Sequence, residues 1–193
     1  MAQAKRGLAS APGSIGSDET DYTEPTALDA RAVMEPKIDL SQSARRAVAG
    51  ILNAVLADEY LLYTKSRNYH WNVTGPQFHD LHKFFEAQYE ELDDAVDDVA
   101  ERVRALGGVP VASLGEFLKL ARLPESPAGG LTAKEMLARL LADHEALIRT
   151  LRRDADLCAE AHHDAGTNDF LVGLMEQHEK MAWMLRASLE STP

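Results

Sequence analysis

The chain has 193 residues, 45% of them hydrophobic and only 6% aromatic, which is enough for one domain with a core and too few for two comfortable ones. Plentiful Leu, Ala, Glu, Asp, Arg and Met against 12 Gly and 8 Pro give a helical profile and exclude an all-β fold. Thirty-one acidic against twenty basic side chains leave a formal net charge of −11, which disfavours nucleic acid and anionic membranes and favours cations as partners.

Residues 1–40 are rich in Gly, Ala, Ser, Pro and acids and lack periodicity, so a flexible N-terminal tail is expected there. Lys5, Arg6, Arg31 and Lys37 are outnumbered by Asp18, Glu19, Asp21, Glu24, Asp29, Glu35 and Asp39, so the tail is no polybasic arm. No apolar run follows Lys5 and Arg6, and no stretch reaches the roughly 18 apolar residues of a membrane span. With Cys158 the single cysteine, no internal disulfide can form, and a cytoplasmic setting is expected.

A domain is expected over residues 41–193. Val48, Ile51, Leu52, Val55, Leu56, Leu62, Tyr63 and Tyr69 predict a first helix over residues 41–70. Gly75 and Pro76 break the pattern, Pro76 being suited to the first turn of the helix that follows. Phe78, Leu81, Phe85, Tyr89, Leu92, Val96, Val99, Val103 and Leu106 predict a second helix over residues 77–106, ended by Gly107 and Gly108. Ser113 and Glu116 form a capping-box pattern before Leu114, Phe117, Leu118 and Leu120, which predicts a short helix inside a long connection.

Thr132 with Glu135 is a second capping box, opening a third long helix through Met136, Leu140, Leu147, Leu151 and Leu157 to about His163, with Gly166 as its stop. Thr167 is expected to cap the last helix, whose stripe is Phe170, Leu171, Leu174, Met175, Met181, Ala182, Leu185 and Leu189. Four helices of similar length, with an interrupted link between the second and third, predict an all-α, ferritin-like four-helix bundle.

The second helix carries a polar stripe beside its apolar seam. His82, Glu86, Glu90, Asp93, Asp97 and Glu101 recur at threes and fours and so share one broad face. Like charges at that spacing repel, and either solvent or bound cations must compensate them. His70 and His82 flank the Gly75-Pro76 turn and lead into this row, and imidazole with carboxylate is a ligand set for iron, zinc or manganese. His82 and Glu101 are about 28 Å apart on one helix, at ~1.5 Å per residue, so one chain cannot close a site between them. Two copies of the helix packed antiparallel about a two-fold axis near residues 91 and 92 would bring position 82 opposite 101 and position 86 opposite 97, twice over. The rival intra-bundle di-iron geometry needs two Glu-x-x-His pairs, and only Glu160 to His163 has that spacing, which favours a surface role for His162 and His163.

The segment Asn68-Tyr-His-Trp-Asn-Val-Thr-Gly-Pro-Gln-Phe-His-Asp-Leu-His82, continued by Glu86, Asp97, Asp98, Ala100, Glu101, Arg102 and Leu106-Gly-Gly108, resembles the Dps family, the DNA-binding proteins from starved cells. Gly166-Thr-Asn-Asp-Phe-Leu and His178-Glu-Lys-Met-Ala-Trp-Met-Leu-Arg186 are similar to that family's last helix, and the resemblance spans about residues 41 to 190. It implies a hollow homododecamer with ferroxidase centres at two-fold interfaces, His70, His82 and Glu86 coming from one subunit and Asp97 and Glu101 from its partner. The implied chemistry is oxidation of iron(II), preferably by hydrogen peroxide, with ferric storage in the cage and protection against oxidative damage. Glu86 stands where the family often has Asp, one methylene longer. Trp71 and Tyr69 beside the centre, acids Glu90, Asp93 and Asp94 as mineral nucleation points and Asp169 at a pore are further implied roles, each matched by an ordinary packing or surface role. The alternative is a nucleoid-compacting DNA-binding protein with a secondary metal site, which the acidic tail and Ser191-Thr-Pro193 end make doubtful; a helical assembly protein without redox activity is a third.

Overall fold

The computed structural model describes residues 35–126 and 129–190. The chain divides into units 1–33 and 34–193, and the tail expected over residues 1–40 lies outside the described residues as far as position 34. Five helices follow in order, α1 (Gln42–Asn72), α2 (Phe78–Ala105), α3 (Leu114–Leu120), α4 (Ala133–Glu160) and α5 (Ala165–Glu190), and no strand occurs among the described residues. Helices α1 and α2 pack closely as one hairpin and α4 and α5 as another, joined through α1 with α4 and α2 with α5, which is the four-helix bundle the periodicity predicts. The core is drawn from the predicted apolar faces, among them Val48, Leu52, Val55, Leu62, Phe85, Leu92, Val99, Leu140, Leu147, Leu151, Leu171 and Leu185, whereas Phe78, Leu114, Leu118, Leu120 and Leu157 of those faces are exposed. No described helix is long and apolar enough to cross a membrane.

Local chemistry sets most of the boundaries. Ser41 Oγ accepts from the Ala44 amide to open α1, and both capping boxes form, Ser113 with Glu116 and Thr132 with Glu135. Four expectations are corrected. Pro76 lies before the cap of α2 rather than in its first turn, because Gly75 at φ 110° and Pro76 make the turn and Gln77 opens the helix. Helix α4 stops at Glu160, and the reversal is made by His163 in the left-handed region (φ 56°), where the Asp164 amide returns to Cys158 O at 2.9 Å. Gly166 is therefore no stop; it lies inside α5, where a Cβ would meet Arg102 Nη2 at 3.0 Å, so its bare backbone admits that guanidinium. The cap of α5 is Asp164, not Thr167: its carboxylate accepts from the Thr167 amide at 2.9 Å and hydroxyl at 2.6 Å, while Arg102 donates to Thr167 Oγ1 and, at 3.3 Å, to Asp164. Asp164→Ala removes the cap and leaves Arg102 facing a gap, so a loss of about 2 kcal/mol is expected in urea unfolding of the purified protein.

The connection between α2 and α4 is strapped to α1 by polar anchors. Asn53 brackets it at one end, donating to Val109 O and accepting from the Val111 amide. Asp58, buried, accepts from the amides of Arg122 and Leu123 and pairs with the Arg122 guanidinium, which also reaches Asp154. Lys65, also buried, donates to Pro124 O and Asp143. Tyr60 stacks on Phe117 with ring centroids 4.3 Å apart, which seats α3 on α1. Cys158 is buried in α4, and burial, followed by the charges of Asp164 and Asp154, pushes its thiol up to about 11, so it serves as a small core residue.

A polar chain crosses the middle of this core. His178 on α5 joins Glu59 on α1, Nε2 to Oε1 at 2.8 Å, and His144 on α4, Nδ1 to Nδ1 at 2.9 Å, and all three side chains have no exposed surface. Two ring nitrogens facing each other bond only when one donates and the other accepts. Burial first, and then the neighbouring His178, hold His144 well below the ordinary histidine range, which keeps that ring neutral.

Candidate metal centre

The centre begins with the α1–α2 hairpin. Helix α1 runs to Asn72 and α2 starts at Phe78, so the short turn sets the last turn of one helix beside the first turn of the next. His70 and His82 meet there with ring centroids 3.7 Å apart and planes tilted by 21°. His70 Nδ1 lies 2.8 Å from His82 O, and His82 Nδ1 lies 2.8 Å from His70 O. A carbonyl only accepts, so both Nδ1 atoms carry the proton, and in the neutral rings both lone pairs sit on Nε2. The reciprocal bonds thus choose the tautomer and the ring orientation that a metal ligand needs.

Aromatic side chains wall the pair. Phe78 stacks on His82 with centroids 5.1 Å apart, and Tyr89 meets His70 edge-on at 5.3 Å. Beyond Tyr89 the Arg67 guanidinium lies 4.9 Å from its ring centroid, 5.5 Å from that of Tyr63 and 5.3 Å from that of Trp71, and donates to Tyr63 Oη at 2.6 Å. Trp71 is 65% exposed, next to the pair in sequence but outside the core, whereas Tyr69 is buried and hydrogen-bonded to Ser126. Glu86 is half-buried one turn after His82 and pairs with Lys83; that bond, with the Lys83 charge behind it, lowers its carboxyl below the usual range.

Asp97 and Glu101 lie farther along α2 and are both exposed. Within one chain they stand about 22 and 28 Å from His82, at ~1.5 Å per residue. Among the described residues, no group of three or more His, Cys, Asp or Glu side chains of a single chain is placed to hold a metal ion. One chain therefore presents two oriented imidazoles and a nearby carboxylate at one end of α2 and two open carboxylates toward the other. His162 is half-buried and His163 exposed, away from any such grouping.

The residues that sequence reasoning passed over are Glu59, His144, Arg67 and Lys83. Glu59 and His144 occupy apolar register positions, beside Leu56 and Leu62 and between Leu140 and Leu147, and that placement was the available signal.

The bundle, its strapped connection and the histidine pair at the hairpin define a ferritin-like protein, and residues 49–193 match the ferritin-like domain family. An uncharacterised low temperature-induced protein of Nostoc sp. is 49% identical over 156 residues, 81% of this chain and 87% of that protein. DNA protection during starvation protein 2 of Bacillus anthracis is 41% identical over 142 residues, 74% of this chain and 96% of that protein. The crystal structure of the Dps protein from Vibrio cholerae O1, described as a member of a broad superfamily of ferritin-like diiron-carboxylate proteins, superimposes with a TM-score of 0.73 at 30% identity, covering 78% of this chain and 93% of that one. The chain belongs to the Dps family.

Proposed function

We propose that the protein is a ferroxidase that oxidises iron(II) with hydrogen peroxide and stores the ferric product inside a homododecameric cage, protecting a cytoplasmic environment from oxidative damage. The observation that carries this reading is the pair of reciprocal Nδ1–carbonyl bonds, which commits His70 and His82 to Nε2 ligation before any metal arrives. Under it, His70, His82 and Glu86 bind iron from one subunit and Asp97 and Glu101 from the partner across a two-fold interface. The resemblance and the diiron-carboxylate description of the Vibrio cholerae relative support iron as the metal.

In this mechanism the ligands orient two iron(II) ions and neutralise their charge, and the redox chemistry is that of iron and peroxide, one peroxide taking one electron from each of two irons. The acidic row of α2 raises the local concentration of cations at the site. Peroxide supplied anaerobically to iron(II)-loaded protein should give fast oxidation, slowed at least tenfold in His70→Ala with His82→Ala when absorbance of the ferric product is followed. Equal rates in the two proteins would reject the centre. DNA compaction has no support in the charge, since the chain carries −11 overall and its first forty residues are acidic.

A further inference from the structure

We infer that Lys83 is a built-in placeholder for the metal cation, pairing with Glu86 and weakening divalent metal binding there until the incoming ion displaces it. The inference rests on the proposed metal centre and adds a residue to it that sets affinity.

From His82 to Glu101, Lys83 is the only basic residue among eight acids, so α2 carries one positive charge along the whole acidic row. The ammonium is placed on the carboxylate next to the histidine pair: Lys83 Nζ contacts Glu86 Oε2, one turn along the helix. Glu86 follows His82 by one turn of α2, so the contact lies beside the groups assigned to the metal. In the single chain the side chain is 62% exposed and carries a flexible stem, so no packing within the chain holds it on Glu86. Arg67 is the contrast. Its guanidinium is bonded to Tyr63 and laid against three aromatic rings, which fixes its charge beside the site where no ion needs to displace it.

An ammonium on the carboxylate competes with a metal ion for its oxygens and repels the incoming cation, and both effects subtract from affinity. The pair also keeps Glu86 from being an unpaired charge beside two aromatic-walled imidazoles. Lys83→Met keeps the unbranched stem and removes the charge, while Lys83→Arg keeps the charge.

The test is calorimetric titration of the assembled, iron-free protein with cobalt(II), at two salt concentrations, alongside oxidation kinetics. Lys83→Met should bind cobalt(II) about two- to fivefold more tightly, the size expected of an exposed pair, with Lys83→Arg close to wild type and the difference shrinking at high salt. The apparent KM for iron(II) should fall by a similar factor with kcat unchanged, a split that a merely structural lysine would not produce. Cobalt binding that depends on His70 and His82 but is equal or weaker in Lys83→Met overturns the placeholder and leaves the centre standing. Cobalt binding indifferent to His70→Ala with His82→Ala overturns the centre, and the placeholder with it.

Discussion

Two inactive variants should make an active protein when mixed. His70→Ala with His82→Ala removes the imidazoles and leaves Asp97 and Glu101; Asp97→Asn with Glu101→Gln does the reverse. Each alone should lose at least tenfold in peroxide-driven iron oxidation. The first leaves no oriented nitrogen, and the second leaves neutral amides where charge is needed. Dissociated and reassembled together, each mixed two-fold pair holds one site left with Glu86 as its only assigned ligand and one site with native histidines and Glu86 facing native acids. Activity should return in proportion to mixed pairs counted by native mass spectrometry. A site confined to one chain gains nothing from mixing, so mixed oligomers without recovered activity would reject the shared centre. The chain's own geometry motivates the test, since it leaves Asp97 and Glu101 exposed and far along α2 from His82.

The largest stability effect is expected in the buried chain of Glu59, His178 and His144. His178→Leu strips Glu59 of its donor in a sealed core, and loss of one partner from such a pair costs about 3–5 kcal/mol. Glu59→Gln keeps an acceptor for His178 Nε2 and should cost far less, about 1 kcal/mol. The double change Glu59→Leu with His178→Leu should be milder than His178→Leu alone, because no orphaned carboxyl remains. Urea unfolding at neutral pH gives all three values. A His178→Leu protein as stable as wild type would mean that the chain contributes nothing to holding α1, α4 and α5 together.

What could be read from the sequence followed from how local each signal is. The long helices were legible because apolar residues recur at threes and fours, and both capping boxes were legible because their partners sit three residues apart. The start of α5 was misplaced because its geometry depends on His163 taking a left-handed conformation, which leaves Asp164 rather than Thr167 at the cap. His70 and His82 stood out because they flank a Gly-Pro turn, yet the carbonyls that orient them belong to each other's backbones and no spacing announces that. Glu59 and His144 were missed because a polar residue at an apolar register position has no visible partner until three helices are packed.

The bonds exchanged by His70 and His82 also make the turn between them a ruler. They tie the final turn of α1 to the first turn of α2 at both ends of a cycle, with residues 73–77 as the covalent side. Adding or removing one residue there changes the span of the turn and so shifts the start of α2 against the end of α1, which moves one imidazole off the other's carbonyl. Composition in this stretch is held at two points, the buried side chain of Val73 and the positive φ of Gly75, while its length sets the register. Spacing within a few residues of sequence thereby governs where two nitrogens point, and a shift of one position should silence the centre as fully as deleting a ligand.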